Sequence, residues 1–293
     1  ARRDYRNDEL AAGLYTMRRD TALERRFFDF AQYPPPPARF GSDYGTVRNA
    51  AYAELGLSVT PALELGAGVR VERFDGSYDD SLGVRSSPAD TLWGGQLSAE
   101  YAFGDRSMGY LLVSRGFKAG GVNGEAIGKA RQAALDPSII AFLEQRAEFA
   151  TETLWNYEAG FRRQFTAGWL GASVFHMQRE DVQLKAWYNE GPQFVGYTDN
   201  AARGENRGAE LEAFWQPHRD LDLTLGLGLL DTRIDDFVAN DPDRGLVDKS
   251  GRDQAQAPDW QFHAALEWRL RPRFFARLEW EGKDAWYFSD SDD

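Results

Sequence analysis

Residues Leu63 to Glu72 read LELGAGVRVE, and the period of this stretch decides the fold. Leu63, Leu65, Ala67, Val69 and Val71 fall on one side of an extended chain. Glu64, Gly66, Gly68, Arg70 and Glu72 fall on the other, because side chains alternate across a strand. The pattern recurs at Phe274–Lys283, FFARLEWEGK, where Phe274, Ala276, Leu278 and Trp280 oppose Phe275, Arg277, Glu279, Glu281 and Lys283. It recurs again at Trp260–Leu270, WQFHAALEWRL, with Glu267 and Arg269 on the polar side. Leu221, Leu223, Leu225, Leu227 and Leu229 form one unbroken apolar row. Each run is roughly ten residues or longer. That exceeds the ~5–6 residues usual for globular strands and matches the ~9–11 residues of a membrane-crossing strand.

Composition narrows the classes. The chain has 293 residues and a formal net charge of −12, which argues against a nucleic-acid partner that needs clustered Lys and Arg. There are no cysteines, so thiol catalysis and Cys-ligated zinc are excluded. Three histidines, His176, His218 and His263, stand far apart and accompany no GxSxG motif, so neither a catalytic site nor a resident metal or cofactor is expected. Nine tryptophans and 14% aromatic residues are many for a chain of mean hydropathy −0.56. No apolar run approaches the ~18–20 residues of a transmembrane helix. A membrane β-barrel, whose per-strand signal is weak, remains compatible with this polarity.

The connections alternate in length. Short turns are expected near Asp20-Thr21, Thr60-Pro61, Gly104-Asp105, Thr166-Ala167, Pro217-Arg219 and Arg271-Pro272. Long polar segments are expected at 32–46, 76–89, 118–150, 188–206 and 235–256. This long-short alternation is that of an up-and-down barrel with short periplasmic turns and long outer loops, in about twelve strands. Pro34 to Pro37 predicts a stiff polyproline segment. Asp136-Pro137 predicts a helix start, with SIIAFLEQRAEF behind it. The segment with Asp235, Asp236, Asp241, Asp243 and Asp248 reads as a solvated acidic loop.

Several motifs then occur in a recognisable order. Ser114 to Asn123 reads SRGFKAGGVN; Glu152 to Phe165 reads ETLWNYEAGFRRQF; Val174 to Gln183 reads VFHMQREDVQ. Asn200-Ala201 precede Gly208-Ala209-Glu210-Leu211-Glu212, and Ala257-Pro258 open a further strand. Together they resemble the barrel of TonB-dependent outer-membrane receptors, with Val122 where the family usually has Phe. The resemblance implies an antiparallel transmembrane barrel of about 22 strands, of which residues 1–293 are expected to be one internal portion, without the plug domain, the first strands or the C-terminal strands. It implies multi-pass residence in the outer membrane of a Gram-negative bacterium, contact with outer-membrane lipid, and uptake of a scarce solute such as a ferric siderophore or other metal chelate. It also implies a TonB-type energy-transducing partner acting through the plug.

Candidate residues follow. Lys118 and Asn123, in the strand-to-loop exit, are candidate solute contacts at the outer mouth, although glycine-rich exits serve backbone geometry more often than binding. Arg70, Glu72, Glu100, Arg162, Glu210, Glu212, Glu267, Arg269, Arg277 and Glu279, with Glu64 and Glu281, are expected to face the lumen and to pair across the sheet. The tryptophans, Trp169 and Trp215 above all, are expected in interfacial girdles. A passive porin-like channel and a soluble β-rich binding protein are the alternatives.

Overall fold

The computed structural model describes residues 8–28, 37–132, 135–190, 193–235, 237–241, 245–271 and 273–288. In chain order these form β1 (Glu9–Phe28), β2 (Pro37–Ser58), β3 (Leu63–Asp80), β4 (Arg85–Ser86), β5 (Ala89–Ala102), β6 (Ser107–Lys118) and β7 (Gly121–Val122). Helices α1 (Gly124–Gln132) and α2 (Pro137–Glu144) and strand β8 (Glu148–Phe149) follow. Then come β9 (Glu152–Phe165), β10 (Gly168–Glu190), β11 (Gln193–His218), β12 (Leu221–Asp235), β13 (Val238–Asp241), β14 (Gly245–Asp248), β15 (Trp260–Arg271) and β16 (Phe274–Lys283).

One 12-stranded antiparallel sheet dominates, in the order β1-β2-β3-β5-β6-β9-β10-β11-β12-β15-β16, with β4 attached to β3. Every neighbour on the main path is also the next long strand in the sequence, the up-and-down order that the loop alternation predicts. The pairs β7-β8 and β13-β14 form separate two-stranded sheets within the outer connections. Short connections join β2 to β3, β5 to β6, β9 to β10, β11 to β12 and β15 to β16 at one end; at the other end only β10 and β11 are joined as tightly, between Glu190 and Gln193. Local chemistry closes them: Thr60 Oγ1 accepts the amide hydrogens of Ala62 and Leu63, and Gly104 takes a φ of +86°, which glycine adopts without strain.

Register puts the predicted rows on opposite faces. Val71 pairs with Ala51 and Trp93, and Ala51 with Leu14. Leu227 pairs with Leu211 and Phe262. This apolar face carries no second layer: Leu14 is 88% exposed, Leu97 64% and Leu278 68%. A soluble sandwich would bury that face, at about 25 cal/mol for each Å² removed from water. Bare rows bounded by aromatics are instead what lipid requires. Trp260 and Trp268, eight residues apart on the same face of β15, are separated by roughly 26 Å along the strand at ~3.3 Å per residue, close to the apolar band of an outer-membrane barrel once tilted. Trp93, Trp155 and Tyr157 form the outer aromatic cluster, with ring centroids 6.1 and 6.5 Å apart. Tyr101, Phe103 and Phe161 cluster near the short turns.

The buried core lies beyond the outer end of this band. Val84, Ala126, Ile127, Ala130, Leu135 and Leu143 pack with Ala186, Val195 and Tyr197, so the longest connection is a folded cap on the outer halves of β10 and β11. Asp136 caps α2 as expected, its carboxylate accepting the Ser138 amide at 2.8 Å, with Pro137 in the first turn. Helix α1 has no counterpart in the sequence expectation, which took its glycines as open loop.

Four expectations are corrected. Asp20 and Thr21 are not a turn; they lie inside β1, paired with Gly45 and Tyr44. The segment 188–206 is not a loop for most of its length, because β10 and β11 pair from Glu190↔Gln193 downward. Residues 37–46 likewise belong to β2. Polar composition misleads in all three, because the sheet continues past the bilayer into water and its backbone pairing needs no apolar side chains. Trp169 lies on the charged face, under the Arg162 guanidinium at 5.6 Å, and not in a girdle; Trp215 is on the apolar face and exposed, as expected. Pro34 to Pro36, Asp236 and Asp243 lie outside the described residues.

Candidate functional site

The charged face is continuous. Register aligns Arg70 and Glu72 of β3 with Gly94 and Leu92 of β5, and Glu100 with Glu64. It carries the same face through Tyr110, Gly160 and Ser173 to Glu210, and through Gly226 and His263 to Glu281. Arg162, Glu212, Glu267, Arg269, Arg277 and Glu279 join it by the same alternation. All the predicted lumen-facing residues therefore share one face, opposite the bare apolar rows.

Two parts of that face are tied by ion pairs. Near the short turns Arg269 reaches Asp222 at 2.6 Å and Glu267 at 3.2 Å, and Arg277 reaches Glu267 at 3.4 Å and Glu279 at 2.5 Å. These groups brace β12, β15 and β16 against one another. Towards the outer end the Glu72 carboxylate, 3% exposed, takes Arg70 at 2.5 Å and lies 3.7 Å from Arg48. Between them Glu100, Arg162, Glu210 and Glu212 line an open depression of about 530 Å³ together with Glu158. Four carboxylates to one guanidinium make this stretch acidic. Glu158 is held in place by the Tyr110 hydroxyl, which donates to it from β6.

The outer mouth has a different character. Lys118 ends β6, pairs through its backbone with Glu152 of β9, and keeps its side chain exposed. It lines a cavity of about 590 Å³ with Tyr44, Arg48, Tyr78, Phe117 and Phe149. The two strands β2 and β3 supply one wall: Tyr44 is the register partner of Tyr78, and Arg48 that of Phe74. The Tyr44 and Tyr78 rings lie 6.3 Å apart at 58°, and the Arg48 guanidinium sits 5.4 Å from the Phe74 centroid. Tyr78 donates its hydroxyl to Asp80 at 2.9 Å. Burial first, and then this bond, push the Tyr78 phenol well above its ordinary range. Burial also raises Tyr44, against a smaller opposing pull from Arg48. Both phenols stay protonated at neutral pH.

Asn123 plays another part. Its Nδ2 donates to the carbonyls of Arg146 (2.8 Å) and Thr198 (2.6 Å), and its Oδ1 accepts the Thr198 amide at 2.8 Å. With 7% exposure the amide is committed to holding the cap on β11. Arg146 adds an ion pair to Asp199 at 2.7 Å. Gln183 Nε2 lies within hydrogen-bonding reach of the Lys118, Ala119 and Ala150 carbonyls. Of the two expected mouth contacts, Lys118 lines this cavity, whereas Asn123 lies outside it and fastens the cap to β11. Sequence reasoning missed Tyr44, Arg48, Tyr78 and Phe149. The first three sit on strand extensions or strand ends that polarity assigned to loops, or nearly so; for Phe149 no sequence signal points to the mouth.

An antiparallel wall with one bare and one charged face, bearing a folded cap at its outer end, is the build of a portion of an outer-membrane β-barrel. A family model described as TonB dependent receptor-like, beta-barrel, matches residues 3–293, and the chain belongs to that family. The pesticin receptor of Yersinia pestis is 28% identical over 221 residues, covering 73% of this chain and 30% of the relative. The ferric yersiniabactin uptake receptor FyuA from Yersinia pestis superposes with a TM-score of 0.71 at 21% identity, covering 98% of this chain and 42% of that one. The ferric citrate transporter FecA gives a TM-score of 0.68 at 16% identity over 97% and 40% of the two chains. The chain thus spans less than half the length of these proteins. Membership places it in the outer membrane of Gram-negative bacteria, and its fold and family are those of receptors and transporters rather than of enzymes.

Proposed function

We propose that residues 1–293 form part of the wall and mouth of an active outer-membrane receptor, which takes up a scarce solute such as a ferric siderophore or another metal chelate. The plug and the remaining strands are supplied by sequence beyond this portion. A TonB-type inner-membrane complex supplies the energy through that plug, and outer-membrane lipid covers the apolar face. The observation that carries this reading is the cation-bearing pocket, open to solvent, at the outer end of a continuous charged face. A solute caught there has a polar path along the wall behind it. Lys118 is the contact proposed at the mouth. Glu100, Arg162, Glu210 and Glu212 are proposed as the surface met by the plug or the solute in passage.

The test is accumulation of a radio-iron chelate by cells carrying the full receptor, with and without a working TonB-type complex. Uptake that stops when the energy-transducing complex is inactivated supports active transport. Uptake that continues at the same rate contradicts it and favours a passive channel.

A further inference from the structure

The cap over 119–151 is fastened to the wall at several separate points. Glu125 of α1 pairs with Arg25 of β1, and Arg146 pairs with Asp199 of β11 at 2.7 Å. Thr151 donates its hydroxyl to Asp90 at 2.6 Å, and Ala150 donates its amide to Asn200 Oδ1 at 2.7 Å. Asn123 adds three hydrogen bonds and differs from the other ties in its chemistry. It is followed by Gly124, and this is the one Asn-Gly pair in the sequence.

Asn-Gly cyclises more readily than other Asn pairs, because glycine puts no side chain beside the attacking amide nitrogen. Gly124 N gives up its proton and attacks Asn123 Cγ, and Nδ2 leaves as ammonia. Water then opens the succinimide ring to aspartate or isoaspartate. Both residues of the pair are demanded by the fold. A Cβ on Gly124 would overlap the Tyr78 ring, so the close seat of α1 on β3 requires glycine. The Asn123 amide donates to the Arg146 and Thr198 carbonyls and accepts from the Thr198 amide. Ionised aspartate, an acceptor only, cannot reproduce that set.

The closed cap protects the pair. Ring closure needs the Asn123 side chain to turn back on the main chain and the Asn123–Gly124 peptide to rotate. The first movement breaks the bonds to β11. The second breaks the start of α1, where the Asn123 carbonyl accepts the Ala126 and Ile127 amides at 3.0 and 3.3 Å. Asn123 is also 7% exposed, so attacking hydroxide and water reach it when the cap lifts.

We propose that Asn123-Gly124 is a deamidation site gated by the cap, and that its conversion makes a reversible opening permanent. The product carboxylate faces the Arg146 and Thr198 carbonyls with no hydrogen to offer them. Two carbonyls lose their donor, and a negative charge is set against them. In the isoaspartate product the main chain also gains a methylene at the head of α1, which moves Gly124 off the Tyr78 ring. The converted fraction therefore records how long the cap has spent open.

The full receptor in outer membranes is incubated in mildly alkaline buffer. The peptide holding residue 123 is followed by mass spectrometry, and isoaspartate is detected by enzymatic methylation. Conversion is expected to be at least tenfold slower in the native receptor than in the receptor unfolded in urea. Arg146→Ala and Glu125→Ala each cut one tie of the cap and leave the Asn-Gly pair and its main-chain partners in place. Each is expected to convert at least threefold faster than the wild type. Asn123→Asp, one of the two products, is expected to expose 119–151 to limited proteolysis at least tenfold faster. Equal rates in the native and unfolded receptor overturn the proposal, as does absence of conversion in the unfolded chain. So does a native rate that neither cap variant changes, or a cap that resists proteolysis in Asn123→Asp as it does in the wild type.

Discussion

Glu152 and Arg179 lock β9 to β10 at the outer end of the sheet. Arg179 donates to Glu152 Oε1 from Nη2 at 2.6 Å and from Nε at 2.9 Å, while Glu152 Oε2 accepts the Gln183 amide at 2.9 Å. Arg179 also reaches Gln254 at 2.6 Å, and Gln254 reaches Asn206 at 2.5 Å. One buried carboxylate thus organises two strands, the connection after β12 and the inner side of β11. Glu152→Ala leaves Arg179 without its anion in a mostly buried place. A loss of about 3 kcal/mol is expected, at the low end for a broken buried pair because Arg179 keeps some access to water. Denaturant unfolding of the full receptor in detergent micelles measures it, and a change below about 0.5 kcal/mol, the level of an ordinary surface substitution, contradicts the role given to Glu152.

Asn123 holds the cap through three hydrogen bonds. Asn123→Ala removes them and leaves the Thr198 amide and carbonyl unpaired, at about 1–3 kcal/mol for each buried group left unsatisfied. The effect is local, since the sheet below does not depend on it. Limited proteolysis is expected to open the segment 119–151 at least tenfold faster, with the barrel strands as resistant as before. Equal cleavage rates in the two proteins would show that the cap is held by other contacts.

The lipid face has its own test. Leu227 sits near the middle of β12, on the bare row. Leu227→Arg is expected to cost roughly 2–4 kcal/mol, the range for a charge at the bilayer midplane of a barrel. Gln261→Arg, on the opposite face of the neighbouring β15, is expected to change little. Folding titrations in lipid vesicles compare the two, and equal costs would contradict the assignment of faces.

The Asp136 cap gives a pH dependence with a definite sign. Hydrogen bonds from the Ser138 hydroxyl and amide hold its carboxyl below the ordinary aspartate range. The stabilisation is therefore full above the unfolded-state value of about 3.9 and is lost as pH falls through the lower folded-state value. Amide exchange of Ile139 and Ile140, which bond to the Asp136 carbonyl, is expected to accelerate in that acid window beyond its intrinsic trend. In Asp136→Asn, which still caps but does not titrate, the extra acceleration disappears. Its persistence would assign the effect to another group.

How much of this was legible in the sequence follows from what each part depends on. The period-two rows at Leu63–Glu72 and Leu221–Leu229 are imposed by lipid on one side and water on the other, so the faces, the up-and-down order and five of the six short turns could be read directly. The shared face of the charged residues expected to line the lumen came with them. Outside the bilayer both faces meet water, the contrast vanishes, and the outer ends of β10, β11 and β2 (188–190, 193–206 and 37–46) read as loop although their backbones pair to the end. The cavity suffered for the same reason. Tyr44 and Arg48 carry no pattern that marks them, and they meet Lys118 and Phe149 only because a cap folds over from 119–151. Asn123 was visible as a residue of interest, but its bonds to Arg146 and Thr198, the latter 75 residues away, are a tertiary fact with no local signal.

The most direct test of the wall itself is a nitroxide scan of 222–229 in the full receptor, reconstituted in lipid, reading accessibility to oxygen and to a water-soluble nickel complex. Leu223, Leu225, Leu227 and Leu229 are expected to favour oxygen, and Asp222, Thr224, Gly226 and Gly228 the nickel complex, in strict alternation. Loss of that alternation, or nickel accessibility at every position, would contradict a lipid-facing barrel wall.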